Sequence, residues 1–118
     1  MQNVDFPDAK PGRMKKRAEF LRAASSGRKV QSTGFVLQAR DRKDGAPARL
    51  GFTVTKKVGN AVVRNRTKRR LREVARKLSA EVSLGSFDLV LIGRSATASR
   101  PMPLLEEDLR RALRQVLG

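Results

Sequence analysis

The residues best suited to chemistry lie in one stretch, Lys56 to Lys77, reading KKVGNAVVRNRTKRRLREVARK. Ten of its 22 positions are basic (Lys56, Lys57, Arg64, Arg66, Lys68, Arg69, Arg70, Arg72, Arg76 and Lys77), and Glu73 is its only acid, so it carries +9 of the chain's +16. An ordinary solvated helix mixes signs, with acid–base pairs one turn apart. This one does not. Its planar guanidinium groups can grip a phosphate through two parallel bonds and can stack on a base, which an ammonium does less well. Asn65, between Arg64 and Arg66, both donates and accepts, and suits a base edge or a sugar hydroxyl. The chemistry on offer is binding of a polyanion.

Those side chains need a helix to present them. Asn60 is a suitable N-cap, because its side chain can accept from an early amide of the helix that follows. Gly59 before it allows close backbone approach, and the amides of a helix N-terminus suit a phosphate. From there Val63, Thr67, Leu71, Val74, Ala75 and Leu78 recur at helical spacing, so one face is apolar and the cations cover the others.

The flanking segments supply the rest of the fold. Phe35, Leu37 and Ala39 alternate with Val36 and Gln38, which predicts a strand over 33–40. Leu50, Phe52 and Val54 alternate with Arg49, Gly51, Thr53 and Thr55, which predicts another over 49–56. Between them DRKDGAP carries Asp44-Gly45 and Pro47, so an antiparallel hairpin with a longer loop is expected. A shorter strand is expected near 29–31. Met14, Ala18, Leu21 and Ala24 form the stripe of a short first helix closed by Ser25-Ser26-Gly27, with Phe20 beside the stripe. Phe87 to Ile92 is apolar apart from Asp88, as in a strand covered on both faces. Leu104 or Leu105, Leu109, Ala112, Leu113, Val116 and Leu117 form a closing helix, with Glu106, Glu107 and Asp108 in its first turn, where the helix dipole favours acids. The order α-β-β-β-α-β-α predicts an α+β sandwich with one mixed four-stranded sheet. Residues 1–13, polar and broken by Pro7 and Pro11-Gly12, read as a mobile arm, and 14–118 as the single domain.

Composition removes several classes. The 118 residues contain neither Cys nor His, so there is no disulfide framework, no thiolate nucleophile and no imidazole base. No apolar run approaches the roughly 20 residues of a membrane span. The N-terminal stretch lacks an apolar h-region, and a cytoplasmic protein is expected. A charge of +16 calls for an anionic partner. A membrane surface suits the basic helix poorly, because its stripe carries Val, Thr and Ala rather than Trp and Phe. A nucleic acid suits it better, and no zipper or helix-turn-helix spacing points to DNA. Phe20, Phe35 and Phe52 are candidates to stack unpaired bases, although a Phe on an alternating strand is more often core. A small ribosomal protein would share this charge and size, and a free-standing nuclease would need a base and paired metal-holding carboxylates.

GFTVTKKVGNAVVRNRTKRRLRE closely resembles the signature of the protein subunit of bacterial ribonuclease P, in which a strand leads through a Lys-Lys-Val/Ile-Gly-Asn-Ala turn into a helix with an Arg-Asn-Arg core. EFLRAASSGRKVQSTGFVLQAR upstream and FDLVLIGRSATAS downstream extend the likeness to about residues 14–117. The resemblance implies a left-handed βαβ crossover around the basic helix. It also implies a protein that does no bond chemistry but binds a large catalytic RNA, whose own Mg2+ serves removal of the 5′ leader from precursor tRNA. By position, Arg64, Asn65, Arg66, Lys68, Arg69 and Arg72 would face the catalytic RNA, with Lys56, Lys57 and Asn60 nearby. Phe20, Val36, Thr53 and Thr55 would line a cleft for the single-stranded leader. Neither a metal bound by the protein itself nor an obligate protein partner is expected. Many relatives carry a second aromatic one turn after the Phe20 position, and here that residue is Ala24.

Overall fold

A computed structural model describes residues 11–117. In chain order its elements are strand β1 (Gly12–Arg13), helix α1 (Arg17–Ser26), β2 (Arg28–Gln31), β3 (Phe35–Asp41), β4 (Arg49–Thr53), a 3-10 turn (Lys56–Val58), α2 (Ala61–Glu81), β5 (Phe87–Gly93), a second 3-10 turn (Ser95–Ala98) and α3 (Met102–Leu117). The five strands form one sheet in the order β1-β4-β5-β3-β2. The expected α+β architecture holds, with one strand more than the four predicted. The addition is Gly12–Arg13, at the end of the segment read as an arm, pairing parallel with Arg49 and Leu50. The rest of that arm, up to residue 10, lies outside the described residues.

The expected hairpin is replaced by a different pairing. β3 and β4 do not touch each other in the ladder; β5 lies between them, antiparallel to β3 and parallel to β4. The most apolar strand takes the centre, where both faces are covered, and the 42–48 loop spans the gap. Helix α2 connects the parallel neighbours β4 and β5.

One face of the sheet carries the main core. Phe35 and Leu37 of β3 and Leu89 and Leu91 of β5 pack against Leu71, Val74 and Leu78 of α2 and Leu105, Leu109 and Leu113 of α3. The predicted stripe of α2 is therefore its buried face. On α3 the choice between Leu104 and Leu105 falls to Leu105, with Leu104 exposed. The helix starts at Met102, which moves Glu106, Glu107 and Asp108 out of the first turn. Asp108 has a different task. Buried at 2% exposure, it accepts from the Gly34 amide (3.1 Å) and from Arg100 Nε (2.7 Å), fastening the helix to the sheet.

The other face is half covered by α1, and with a different side of that helix from the one expected. Ala18, Leu21 and Ala24 are exposed, whereas Glu19 and Ala23 are buried and Phe20 is half-buried against a cluster of Met14, Ala23 and Val90. The inward side includes a carboxylate, so apolar spacing pointed the wrong way. Glu19 Oε1 accepts from the amides of Lys15 (3.0 Å) and Lys16 (3.1 Å) at the helix start, and its other oxygen pairs with Arg49. Those backbone bonds, and the Arg49 charge after them, hold the Glu19 carboxyl below its ordinary value against the opposing effect of burial.

Candidate nucleic-acid interface

Asn60 caps α2 as expected: its Oδ1 accepts from the Val63 amide at 3.0 Å. Gly59 makes the turn into the cap at φ 156°, and a Cβ there would stand 2.9 Å from the Val63 side chain. With Thr67, Leu71, Val74, Ala75 and Leu78 buried, Asn65, Arg66, Arg69 and Arg72 fall on the exposed sides of the helix, and Arg64 and Lys68 on its half-buried flank. Lys56 and Lys57 are exposed on the turn before it. Arg64 Nη1 donates to the Gly59 carbonyl at 2.9 Å, which anchors that guanidinium to the turn. Lys56, Lys57, Arg66, Lys68, Arg69 and Arg72 make no side-chain hydrogen bond or ion pair with another described residue.

Other cations of the segment are structural. Arg70 donates to the carbonyls of Thr97 (2.9 Å) and Arg100, tying α2 to the second 3-10 turn. Lys77 pairs with Glu106 at 3.1 Å, and Arg76 lies 3.7 Å from Glu73. The segment thus divides into cations with a partner in the fold, of which Arg70 ties elements together and Arg76 has only an exposed pair within its own helix, and cations without a partner among the described residues. All the basic residues assigned by position to an RNA contact, apart from the anchored Arg64, belong to the second group.

The second part of the site lies on the opposite face of the sheet. Residues facing each other across a sheet share a side. The register places Thr53, Ile92, Val36 and Gln31 in one row across β4, β5, β3 and β2. The next row is Gly51, Val90, Gln38 and Lys29. Phe20 covers Gly51: a Cβ on that glycine would stand 2.6 Å from the ring's Cε1 and 3.1 Å from Met14 Sδ. The ring lies on the sheet because position 51 has no side chain. The structure therefore brings Phe20, Val36 and Thr53 to one face, bordering a row of half-buried and exposed side chains. Thr55 is exposed two residues beyond the end of β4. Phe35, by contrast, is fully buried on the core face, and Phe52 packs against the same core. Sequence reading missed Ile92, Gln31 and Gly51. The two-residue period of the β5 run contained the signal for Ile92, but its pairing with Val36 depends on strand order.

Gly51→Ala is expected to lower stability by about 1–3 kcal/mol, because the ring or the helix must lift to admit a methyl group. A urea midpoint equal to that of the unsubstituted protein would show that the ring moves aside freely.

A buried ion network fixes the position of α1 over this face. Asp88, on β5 with no exposed surface, accepts from Arg42 Nη1 (2.5 Å), Arg49 Nε (2.8 Å) and Arg49 Nη2 (2.9 Å). Arg49 also pairs with Glu19, and Arg42 donates to the Pro47 carbonyl at 2.7 Å, so one carboxylate joins helix, sheet and loop. Burial pushes the Asp88 carboxyl up, but the hydrogen bonds and charges of Arg49 and Arg42 outweigh it and hold the group below its ordinary value. Glu107 pairs with Arg110, so the three neighbouring acids Glu106, Glu107 and Asp108 each engage a separate cation rather than converging on one point. Among the described residues no group of three acids is placed to hold a metal ion. None of their helices is long and apolar enough to cross a membrane.

These features define a small α+β domain with a polycationic helix on one side of its sheet and, on the other, an aromatic-bordered row of mixed polar and aliphatic side chains. The sequence matches the Ribonuclease P family over residues 9–117. It is 64% identical over 103 residues to the ribonuclease P protein component of Gluconacetobacter diazotrophicus, covering 87% of this chain and 89% of that one. To the ribonuclease P protein component of Ruegeria pomeroyi it is 51% identical over 106 residues, covering 87% and 84% of the two chains. The fold superimposes on the RNase P protein of Staphylococcus aureus with a TM-score of 0.75 at 31% identity, covering 92% of this chain and all of that one. Against the RNase P protein of Thermotoga maritima the TM-score is 0.76 at 29% identity, covering 90% and 98%. The chain belongs to the ribonuclease P protein component family, and with it to the ribonucleoprotein that processes tRNA 5′ ends.

Proposed function

We propose that this protein docks onto the catalytic RNA of ribonuclease P through α2 and its preceding turn, and holds the 5′ leader of precursor tRNA along the row beside Phe20. The observation that carries the reading is the set of cations on α2 and its preceding turn that have no partner among the described residues. Six such groups at close quarters repel one another, and the phosphates of a folded RNA offset that repulsion. Arg64, Arg66, Arg69 and Arg72 supply guanidinium grips, Lys56, Lys57 and Lys68 supply point charges, and Asn65 supplies a group able to read a base edge or a ribose hydroxyl. Asn60 acts by fixing the start of the helix. In the cleft, Phe20 offers one ring face to a base, and Val36, Thr53 and Thr55 line the path.

The bond chemistry belongs to the RNA and its Mg2+. The sequence holds neither His nor Cys, and among the described residues the neighbouring acids are engaged by Arg or Lys and do not converge on one point. Its contribution is to neutralise phosphate and to position the substrate, which raises affinity and supports the RNA's own metal sites. On this reading the protein works in the cytoplasm.

The test is reconstitution. Purified protein added to ribonuclease P RNA and precursor tRNA at low Mg2+ is expected to stimulate release of the leader, with no cleavage by the protein alone. Unchanged cleavage by the RNA would leave a purely structural RNA-binding module, and cleavage without the RNA would make the protein itself a nuclease.

A further inference from the structure

The row of Thr53, Ile92, Val36 and Gln31 does not end at the cleft. Its last member, Gln31, stands on the edge strand β2 and also lines an open groove of about 490 Å3 between that edge and α3. Val30 forms part of the floor, and Ser32, Arg94, Arg111 and Gln115 form the walls. No acid lines the groove. Arg94 donates to the Ser32 carbonyl at 2.9 Å, which holds its guanidinium at the turn following Gln31. Arg111 is exposed and its side chain makes no hydrogen bond or ion pair with another described residue; Glu107, one turn before it, is paired with Arg110 instead.

We propose that this groove is a second phosphate-binding site for the single-stranded leader, taking the nucleotides that run past the edge of the sheet. The inference rests on the leader reading above. From Thr53 on β4 to Gln31 on β2 is three strand spacings, about 14 Å. A strand following the row therefore leaves the sheet after a few nucleotides. At that point it meets two guanidinium groups and the amide of Gln115, in a groove with no carboxylate to repel it. The groove opens at the edge strand where the row ends, on the side of the sheet that α3 covers, so a strand reaches it by passing around that edge, and its charge has the sign a sugar-phosphate backbone requires. An acidic protein segment pairing with the edge would find only the four residues of β2.

Holoenzyme assembled with Arg111→Glu is tested for binding of precursor tRNAs whose leaders range from about two to about twelve nucleotides, beside mature tRNA. The shortest leaders and mature tRNA should bind as they do to the unsubstituted holoenzyme. The longest should bind roughly three- to tenfold more weakly, with a log–log salt slope shallower by about one for the lost phosphate contact. Gln115→Ala should show the same length dependence with a smaller effect. Unchanged melting temperatures would confirm that these exposed positions leave the fold intact. Equal affinity for long leaders in variant and unsubstituted holoenzyme overturns the groove while leaving the cleft in place. Equal weakening for every tRNA, mature included, also overturns it, since the contact would then lie elsewhere. If the unsubstituted holoenzyme gains nothing from any leader, the cleft reading fails and the groove fails with it.

Discussion

Asp88→Ala should remove about 3–5 kcal/mol of stability, because it takes away the buried carboxylate that Arg42 and Arg49 share and leaves each only its outer partner, Asp44 and Glu19. The effect belongs toward the lower end, since Arg49 keeps 28% of its side chain exposed while Arg42 keeps 7%. A domain of this size has only about 5–15 kcal/mol in total, so the urea midpoint should fall by a large fraction. The cost comes from leaving two largely buried cations short of one shared acid; it does not measure what the ion network is worth against an apolar replacement. The pH dependence has a fixed sign. The Asp88 carboxyl lies below its unfolded value of about 3.9, so its contribution is complete above that value and fades as pH falls through the lower folded one. Glu19, also held low, acts in the same direction. The stability gap between Asp88→Ala and the unsubstituted protein should therefore be constant from pH 7 to about pH 5 and narrow below about pH 4. A gap that is small at pH 7, or that widens in acid, would show that Asp88 does not anchor the network.

The second large effect leaves the fold alone. Replacing Arg66, Arg69 and Arg72 together by Ala should weaken binding to ribonuclease P RNA by about 3–6 kcal/mol, or roughly 10^2- to 10^4-fold, if each makes a charge-assisted phosphate contact and the three act independently. The log–log salt slope should become shallower by about three. Stability should hold or rise slightly, because none of the three has a side-chain partner among the described residues and the chain sheds self-repulsion. Arg70→Ala is the control within the same helix. Its guanidinium holds the Thr97 and Arg100 carbonyls, so its loss should lower stability and leave the slope nearly unchanged. A triple variant whose slope matches that of the unsubstituted protein would take those arginines out of the interface.

The two variants mark what the sequence reveals and what it conceals. The face of α2, the Asn60 cap and the uncompensated cations were legible because they depend on neighbours within a few turns of one helix, where spacing determines geometry. Arg70 was not separable from Arg69 or Arg72, because its partners lie 27 and 30 residues away. Asp88 read as a polar interruption in an apolar strand, and only the folded chain brings it to Arg42, 46 residues distant in sequence. The pairing of β3 with β4 failed for the same reason. A local turn signal at Asp44-Gly45 suggested a hairpin, but a later and more apolar strand entered between them. On α1 the spacing of Ala18, Leu21 and Ala24 outlined a stripe that faces solvent, since the inward face is built on the Glu19–Arg49 pair and the Phe20–Gly51 contact.

The central position of β5 also governs when the protein can form during its synthesis. Until residues 87–93 have left the ribosome, the nascent chain holds only two separate pairings, β1 with β4 and β2 with β3, each too small to be stable in water. The arginine-rich helix emerges before that keystone and has no finished sheet to rest its apolar side upon. Cleft, core and cationic helix must then consolidate almost together, late in translation, and an RNA already waiting nearby would draw the assembly toward its native state.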